Sequence, residues 1–239
     1  MNRDLNSAQG DCEQPVLISF SGMDGSGKST QIEALCSQLS QAGVPVLRLA
    51  FWDHVVGLPK WRAVFSHKFL KSDGRIGEPG KPARRNDKNN RAWYLLVARS
   101  VLYLIDALNL RRVVEKTRRS NAGVIVFDRY IYDQLATLPL EYSVARAYAR
   151  FVLSFVPKPD VAYLLDVEPE VARERKPEYP VDFLHKYRSS YYRLRDIAQL
   201  TLIEPQSQAD AQAAIAARLE QCGRIRNVSS RLTGSIAAA

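Results

Sequence analysis

Two hydrophobic patterns alternate along the chain. Short apolar runs of four to seven residues are typical of strands that are buried on both faces of a parallel sheet. Between them lie longer segments in which apolar residues recur every three or four positions, as in an amphipathic helix. Alternating strands and helices predict an α/β fold with right-handed crossovers. The predicted strands are Val16–Ser21, Val44–Ala50, Val124–Phe127, Val161–Val167 and Leu200–Ile203.

The helical segments carry start and stop signals. Gly43 fits the position that follows the end of the first helix, where a left-handed backbone is common. Pro139 is predicted to interrupt the third segment, and Pro169 suits the first turn of the fourth. The predicted helical segments are Lys28–Gln41, Arg91–Arg119, Tyr132–Val156, Pro169–Ala172, Val181–Ala198 and Ala209–Gln221.

A glycine-rich stretch, FSGMDGSGKST at 20–30, joins the first strand to the first helix. It fits the phosphate-loop pattern G-x-x-x-x-G-K-[ST], in which backbone N–H groups and a helix N-terminus surround an anion. Lys28 is predicted to reach the β- and γ-phosphates, and the Ser29 hydroxyl to ligate Mg²⁺. A glycine-rich turn with a surface lysine is the alternative, which requires a chance match. The predicted ATP-binding residues are Asp24, Gly25, Ser26, Gly27, Lys28, Ser29 and Thr30.

The length and composition favour one large α/β domain. The chain has 239 residues, 46% of them hydrophobic, and no apolar run approaches the ~20 residues of a membrane-spanning helix. The polar, mixed-charge N-terminus differs from a signal peptide. We therefore expect a flexible leader at 1–14, a domain at 15–222 and a flexible tail at 223–239. The three widely spaced cysteines lack the spacing of a metal site, which predicts reduced, structural cysteines and a cytoplasmic protein.

Positive charge is concentrated in one irregular segment. The net charge is +9, and residues 51–90 contribute +5 of it, from nine Lys or Arg against four Asp or Glu. A basic segment near a phosphate loop favours an anionic substrate, although a solvated loop is the simpler explanation. We expect this segment to be an insert on the acceptor side of the site.

The motif VFDRY at 126–130, which ends the third strand, points to a particular protein family. The chain resembles the thymidylate kinase family of nucleoside monophosphate kinases, with matching motifs in the same order. That resemblance implies a three-layer P-loop kinase fold, with a five-stranded parallel sheet of order 2-3-1-4-5 and helices on both faces. It also implies ATP and Mg²⁺ as cofactors. The matching segments are the loop at 22–30, VFDRY at 126–130, PKPD at 157–160, YLLDV at 163–167, a basic lid at 173–180 and the segment from Asp182 to Tyr191.

The chemistry of phosphoryl transfer indicates a role for each site residue. An acceptor phosphate is already ionised near pH 7, so it requires a cationic clamp rather than a general base. Arg129, at a strand end beside the loop, is the best candidate for that clamp. The resemblance implies that Asp24 lies near Arg129 and that Asp128 holds Mg²⁺ with Ser29. The candidate catalytic residues are Lys28, Arg129, Arg173 and Arg175, and the candidate acceptor-binding residues are Asp24, Asp53, Arg91, Arg99 and Arg129.

Simpler roles remain open for several of these residues. Asp128 and Arg129 could form a strand-end ion pair, and Arg173 with Arg175 could be a solvated helix end. Tyr191 and the neighbouring Tyr192 favour packing over base stacking because of their apolar bulk.

The acceptor segment departs from the family pattern. An arginine that follows strand two holds the acceptor phosphate in the family, whereas this chain reads FWDH at 51–54. Thymidylate is the first expectation for the acceptor. One alternative is a kinase of a nucleoside or another hydroxyl compound, with Asp53 as general base. The other is a nucleotide-binding module without catalysis. We expect a nucleotide as partner and allow a homodimer, and we expect neither a membrane nor a nucleic acid.

Overall fold

Five parallel strands form the centre of the fold. The computed structural model describes residues 14–56, 93–204 and 207–221. Within these ranges the strand order is β2-β3-β1-β4-β5, which confirms the predicted fold class and sheet order. The strands are β1 (Val16–Gly22), β2 (Val46–Ala50), β3 (Val124–Asp128), β4 (Val161–Leu165) and β5 (Thr201–Ile203).

Helices cover both faces of the sheet. β1 is buried along its whole length, and its side chains alternate between two hydrophobic cores. Leu17 faces the core that is closed by α3, α4, α5 and α7, and Ile18 faces the core that is closed by α1 and α8. The helices are α1 (Lys28–Gln41), α2 (Phe51–His54), α3 (Trp93–Thr117), α4 (Ile131–Leu135), α5 (Ser143–Ser154), α6 (Pro169–Arg175), α7 (Val181–Ala198) and α8 (Gln208–Gln221).

Several predicted boundaries are confirmed. The first helix spans Lys28–Gln41, and Gly43 after it has a positive φ of 70°. The third helical segment is interrupted around Pro139 and forms α4 and α5. Cys36 is half-buried against the core under α1, as expected of a structural cysteine, and burial raises the pKa of its thiol.

Two strands are each two residues shorter than predicted. β2 begins at Val46 because Val44 donates its N–H to Leu39 at the end of α1, while the Pro45 carbonyl accepts from Gly123. β4 ends at Leu165 rather than Val167. Its partner β1 turns into the glycine-rich loop at the paired position, so no neighbour remains on that side.

Two helical segments also differ from the prediction. The predicted irregular segment 51–90 begins with the short helix α2, whose first residue, Phe51, is fully buried. α6 continues past Ala172 to Arg175, so part of the predicted lid is helical.

Some predictions concern residues outside the described ranges. These are most of the leader, the tail at 223–239 and the part of the insert from residue 57 onward. Among the described residues, no helix is long and apolar enough to cross a membrane.

Candidate active site

A cleft opens at the carboxyl end of the sheet, where ligands of open parallel sheets bind. It has a volume of about 650 Å³, and the whole stretch from Asp24 to Gln31 lines it. The ends of β3 and β4 contribute further walls, as do α6 and the start of α8. The residues predicted to bind ATP therefore share one cleft with Asp128 and Arg129.

Two glycines let the loop pack closely against β4 and α6. Gly22 has φ +142°, and a Cβ at this position would lie 2.3 Å from the Leu165 carbonyl oxygen of β4. Gly25 has φ +87°, and a Cβ there would lie 2.9 Å from the Ala172 carbonyl oxygen of α6. Both the backbone angle and the space exclude a side chain, which explains why the loop requires glycine at these positions.

Lys28 is buried and folds back over its own loop. Its Nζ donates to the carbonyl oxygens of Gly22 (2.9 Å) and Met23 (2.6 Å) and to Ser26 Oγ (3.3 Å). Burial, and secondarily the positive charge of Arg129, lowers the pKa of Lys28 from 10.5 to about 8. The ammonium is therefore held among neutral oxygens at the place where the motif predicts phosphate.

Arg129 follows β3 with a strained backbone and a fixed side chain. Its φ of 67° is left-handed, and its N–H donates to the Phe20 carbonyl oxygen of β1 over 2.9 Å. Its guanidinium contacts Asp24 through Nη2 and Asp133 through Nη1, the latter at 3.2 Å. Burial opposes the charge, but Asp133 and Asp24 outweigh burial and raise the pKa of Arg129. The arginine is therefore a permanent cation at the edge of the cleft.

Asp133, on α4, was not predicted as a site residue. Its carboxylate accepts from Ser21 Oγ (2.8 Å), the Tyr130 N–H (3.1 Å) and the Tyr191 hydroxyl (2.8 Å). An aspartate in the first turn of a helix is a familiar capping signal, so the sequence could have predicted the bond to Tyr130. The bonds to Ser21 and Tyr191 span 112 and 58 positions, and no local pattern indicates them.

Asp128 and Ser29, the predicted Mg²⁺ ligands, both line the cleft. Asp128 is bonded through Oδ2 to Arg48 Nη2 of β2, at 3.1 Å, rather than to Arg129. A hydroxyl and a carboxylate are the hard oxygen donors that Mg²⁺ prefers. The described residues contain no group of three His, Cys, Asp or Glu that could hold a metal. Mg²⁺ usually takes few protein ligands and fills its other positions with water and substrate phosphates.

Of the two predicted lid arginines, Arg175 lines the cleft and Arg173 does not. Arg175 lines it and donates from Nη1 to the Gly25 carbonyl oxygen over 3.0 Å. Arg173 is exposed and is not among the lining residues, whereas Lys176 is. Because α6 continues through Arg175, positions 173 and 175 lie about 200° apart around the helix.

The predicted acceptor-binding residues are distributed less compactly. Asp24 and Arg129 touch each other in the cleft. Asp53 is exposed on α2 and Arg99 is half-buried on α3, and neither is among the residues that line the cleft. Arg91 lies outside the described residues.

A second set of charged residues lies between the cleft and α7. Arg188 pairs with Asp166 (2.5 Å) and with Glu168 (2.5 Å), and both carboxylates line the cleft. The pKa of Arg188 is raised, mainly by its hydrogen bonds to Asp166. The Tyr192 hydroxyl adds a bond of 2.7 Å to Asp166, and the guanidinium groups of Arg188 and Arg195 lie 5.6 Å from the centroid of its ring. Tyr191 is buried. Asp166 could have been suspected because it directly follows a strand at the ligand-binding edge.

The cleft thus combines Lys28, Arg129, Arg175 and Lys176 with the N-terminus of α1. Such a set suits a chain of phosphates, since the cations and the helix dipole act on the same ligand. Asp24 and Asp128 lie on the β3 side of the cleft, where they favour a metal ion or a cationic clamp rather than a second phosphate chain.

No protein-family model matches the chain. A protein of Methanothermobacter thermautotrophicus described as a "probable thymidylate kinase" is 30% identical over 165 residues, which cover 67% of this chain and 69% of that protein. Another of the same description, from Methanosphaera stadtmanae, is 24% identical over 75% of this chain and 83% of its own length. A "thymidylate kinase" of Leptospira interrogans is 25% identical over 80% of this chain and 79% of its own.

Proposed function

The chain belongs to the thymidylate kinase family of nucleoside monophosphate kinases, and on that premise we propose that it transfers the γ-phosphoryl group of ATP to thymidylate. One observation carries the choice of a phosphate acceptor. Arg129 is held as a permanent cation beside the phosphate loop, at the place where an acceptor phosphate would enter. Asp53, the candidate base for a hydroxyl acceptor, is exposed and does not line the cleft.

We assign the residues to three roles. Lys28 binds the β- and γ-phosphates and exchanges its carbonyl partners for phosphate oxygens. Arg129 holds the acceptor phosphate, whose ionised oxygen attacks without a general base. Arg175 balances the negative charge that develops on the transferred group, as a cation in the same cleft. Arg173, which we grouped with Arg175 from the sequence, has no assigned role because it lies outside the cleft.

The metal site follows from the same residues. Ser29 and Asp128 would hold Mg²⁺, which neutralises phosphate charge when it is bound. Asp128 would keep its bond to Arg48 through Oδ2, which orients the carboxylate, and would offer Oδ1 to the metal.

The test is a panel of acceptors in a coupled assay for ADP release, with dTMP, dUMP, UMP, CMP, AMP and GMP. We expect turnover with Mg²⁺ and ATP, and the highest kcat/KM with dTMP. Arg129→Ala is expected to lower kcat/KM for the acceptor by about 100-fold or more, and Asp53→Asn by less than about threefold. Turnover only with a nucleoside or another alcohol, together with loss of activity in Asp53→Asn, would contradict the proposal. Absence of turnover with every compound, despite ATP binding, would favour a nucleotide-binding module.

We also propose that the partner protein is a second copy of the chain. Val97, Val101, Ile105 and Leu108 form an exposed apolar stripe along α3, at helical spacing. A stripe of this kind favours burial against another helix, and the family resemblance implies a dimer through helices beside the sheet. A cytoplasmic location stays a prediction.

A further inference from the structure

Asp133 is buried next to Arg129, the proposed clamp for the acceptor phosphate, and it also contacts β1 and α7. Its side chain is only 1% exposed, and Arg129 Nη1 is 3.2 Å from its Oδ1. Ser21, the β1 residue directly before the first loop glycine Gly22, donates its hydroxyl to Oδ2 over 2.8 Å. Tyr191, on α7, donates its hydroxyl to Oδ1 over 2.8 Å. One buried carboxylate therefore connects the clamp, the strand that leads into the loop and α7.

Arg129 has two carboxylate partners in different surroundings. Asp24 lines the cleft, and its side chain is 22% exposed. Asp133 is not among the residues that line the cleft. A phosphate that enters the cleft approaches Arg129 from the side of Asp24, so that Asp24 is the partner that can give way to it. Asp133 is buried outside the cleft lining, so its bond to Arg129 can persist while the ligand is bound.

The hydroxyl groups around Asp133 are held as donors. Tyr187 donates to its carbonyl oxygen over 3.0 Å, and Tyr191 to its carboxylate. Burial first, and the charge of Asp133 second, raise the pKa values of Tyr187 and Tyr191 well above their ordinary values. Both tyrosines come from α7, which begins at Val181, directly after the predicted lid at 173–180. The helix that follows the lid thus orients the carboxylate that orients Arg129.

We propose that Asp133 is a positioning residue for the acceptor: it fixes the guanidinium of Arg129 toward the cleft without touching either substrate. This inference rests on the proposed function, because it assumes that Arg129 holds the acceptor phosphate. The backbone of Arg129 lies in the left-handed region, but the backbone angle alone does not fix where the guanidinium points, because an arginine side chain has several rotatable bonds with staggered wells. Asp133 supplies a charged hydrogen bond from a buried position, where such bonds are strong.

The main test compares Asp133→Asn and Tyr191→Phe with Tyr163→Phe as the matched control. Tyr163 is a buried tyrosine of β4 whose hydroxyl bonds to the Ile215 carbonyl oxygen over 2.8 Å, away from Arg129. Asp133→Asn removes the charge that holds Arg129 and is expected to raise KM for the acceptor by about 10- to 100-fold. Tyr191→Phe removes one donor to the carboxylate and is expected to raise the same KM by about three- to tenfold. KM for ATP and kcat should change by less than about threefold, and Tyr163→Phe should change neither KM.

A second readout does not depend on turnover. NMR signals of the Arg129 guanidinium report how tightly the group is held, and we expect faster rotation in Asp133→Asn and Tyr191→Phe than in the wild type and Tyr163→Phe. If the wild type phosphorylates no nucleoside monophosphate, the proposed function fails, and this readout still decides whether Asp133 holds Arg129.

Two results would overturn the inference. One is unchanged acceptor KM and unchanged Arg129 rotation in the variants of Asp133 and Tyr191. The other is an equal change in both KM values that follows the loss of thermal stability, as a purely structural role predicts. If Asp133→Asn does not fold, Tyr191→Phe carries the same decision, because it removes a donor to Oδ1 with little change of volume.

Discussion

Binding of ATP is expected to draw a proton onto Lys28. In the free protein this ammonium is buried among uncharged oxygens, and burial lowers its pKa to about 8. A bound phosphate supplies the opposite charge and raises that pKa again. Binding above pH 8 should therefore be coupled to proton uptake.

The size of the effect follows from the pKa. Free Lys28 is about 90% protonated at pH 7, half protonated at pH 8 and about 10% protonated at pH 9. The uptake should therefore rise from about 0.1 proton per ATP at pH 7 to about 0.9 at pH 9. Above pH 8, the Kd for ATP should increase by about tenfold for each pH unit, since binding must first protonate the lysine.

Isothermal titration calorimetry measures this uptake directly, in pairs of buffers that differ in ionisation enthalpy. Measurements between pH 8 and pH 9 avoid the titration of ATP itself. Lys28→Arg is the control, because arginine keeps a positive charge that does not titrate in this range. Uptake that stays near zero across this range in the wild type would refute the assignment of a lowered pKa to Lys28.

The same shift predicts a change in folding stability. Unfolded lysine has a pKa of 10.5, so between about pH 8 and 10.5 the unfolded chain binds more protons than the folded one. Stability therefore rises with pH across this window, by about 3 kcal/mol in all. Tyr187 and Tyr191 act in the opposite sense above pH 10, because their raised pKa values keep the proton in the folded state. Chemical unfolding of the wild type and Lys28→Met, compared from pH 8 to 10, isolates the lysine.

Three other changes test separate parts of the site. Arg175→Ala is expected to lower kcat by about 100-fold, and Arg173→Ala by less than about threefold, in steady-state kinetics; equal effects would contradict the placement of Arg175 alone in the cleft. Gly25→Ala should lower stability by about 1–3 kcal/mol more than Gly27→Ala in thermal unfolding, since both have positive φ but only the former meets α6. In light scattering, the wild type should have the mass of a dimer, and Val101→Glu should have a mass closer to that of a monomer. A wild type that is monomeric at all concentrations would exclude the dimer.

The sequence predicts best what depends on local pattern. The apolar run at Val16 and the glycine motif that follows it determine β1, the loop and α1, because strand and helix periods are properties of neighbouring residues. The sheet order came from the family resemblance, since the hydrophobic period does not say which strands are neighbours. The α2 turn was missed because its four residues are too few to show a helical period.

Contacts between distant residues explain what the sequence did not reveal. Asp133 meets Ser21 and Tyr191 only because α4 and α7 pack on the same side of β1. Arg48 reaches Asp128 because β2 and β3 are neighbours in the sheet. The family resemblance implied one cationic lid at 173–180, whereas the direction of each side chain depends on where the helix ends.

The two hydrophobic cores divide the site along the plane of the sheet. Lys28 begins α1 and Gln208 begins α8, and both helices pack on one core. Arg129 is supported from the other core, through α4 and α7. Under the proposed roles of Lys28 and Arg129, the nucleotide donor and the acceptor would be bound from opposite layers, with β1 between them. A packing defect confined to one layer would then impair the binding of one substrate before the other, so that the enzyme could lose its two affinities independently.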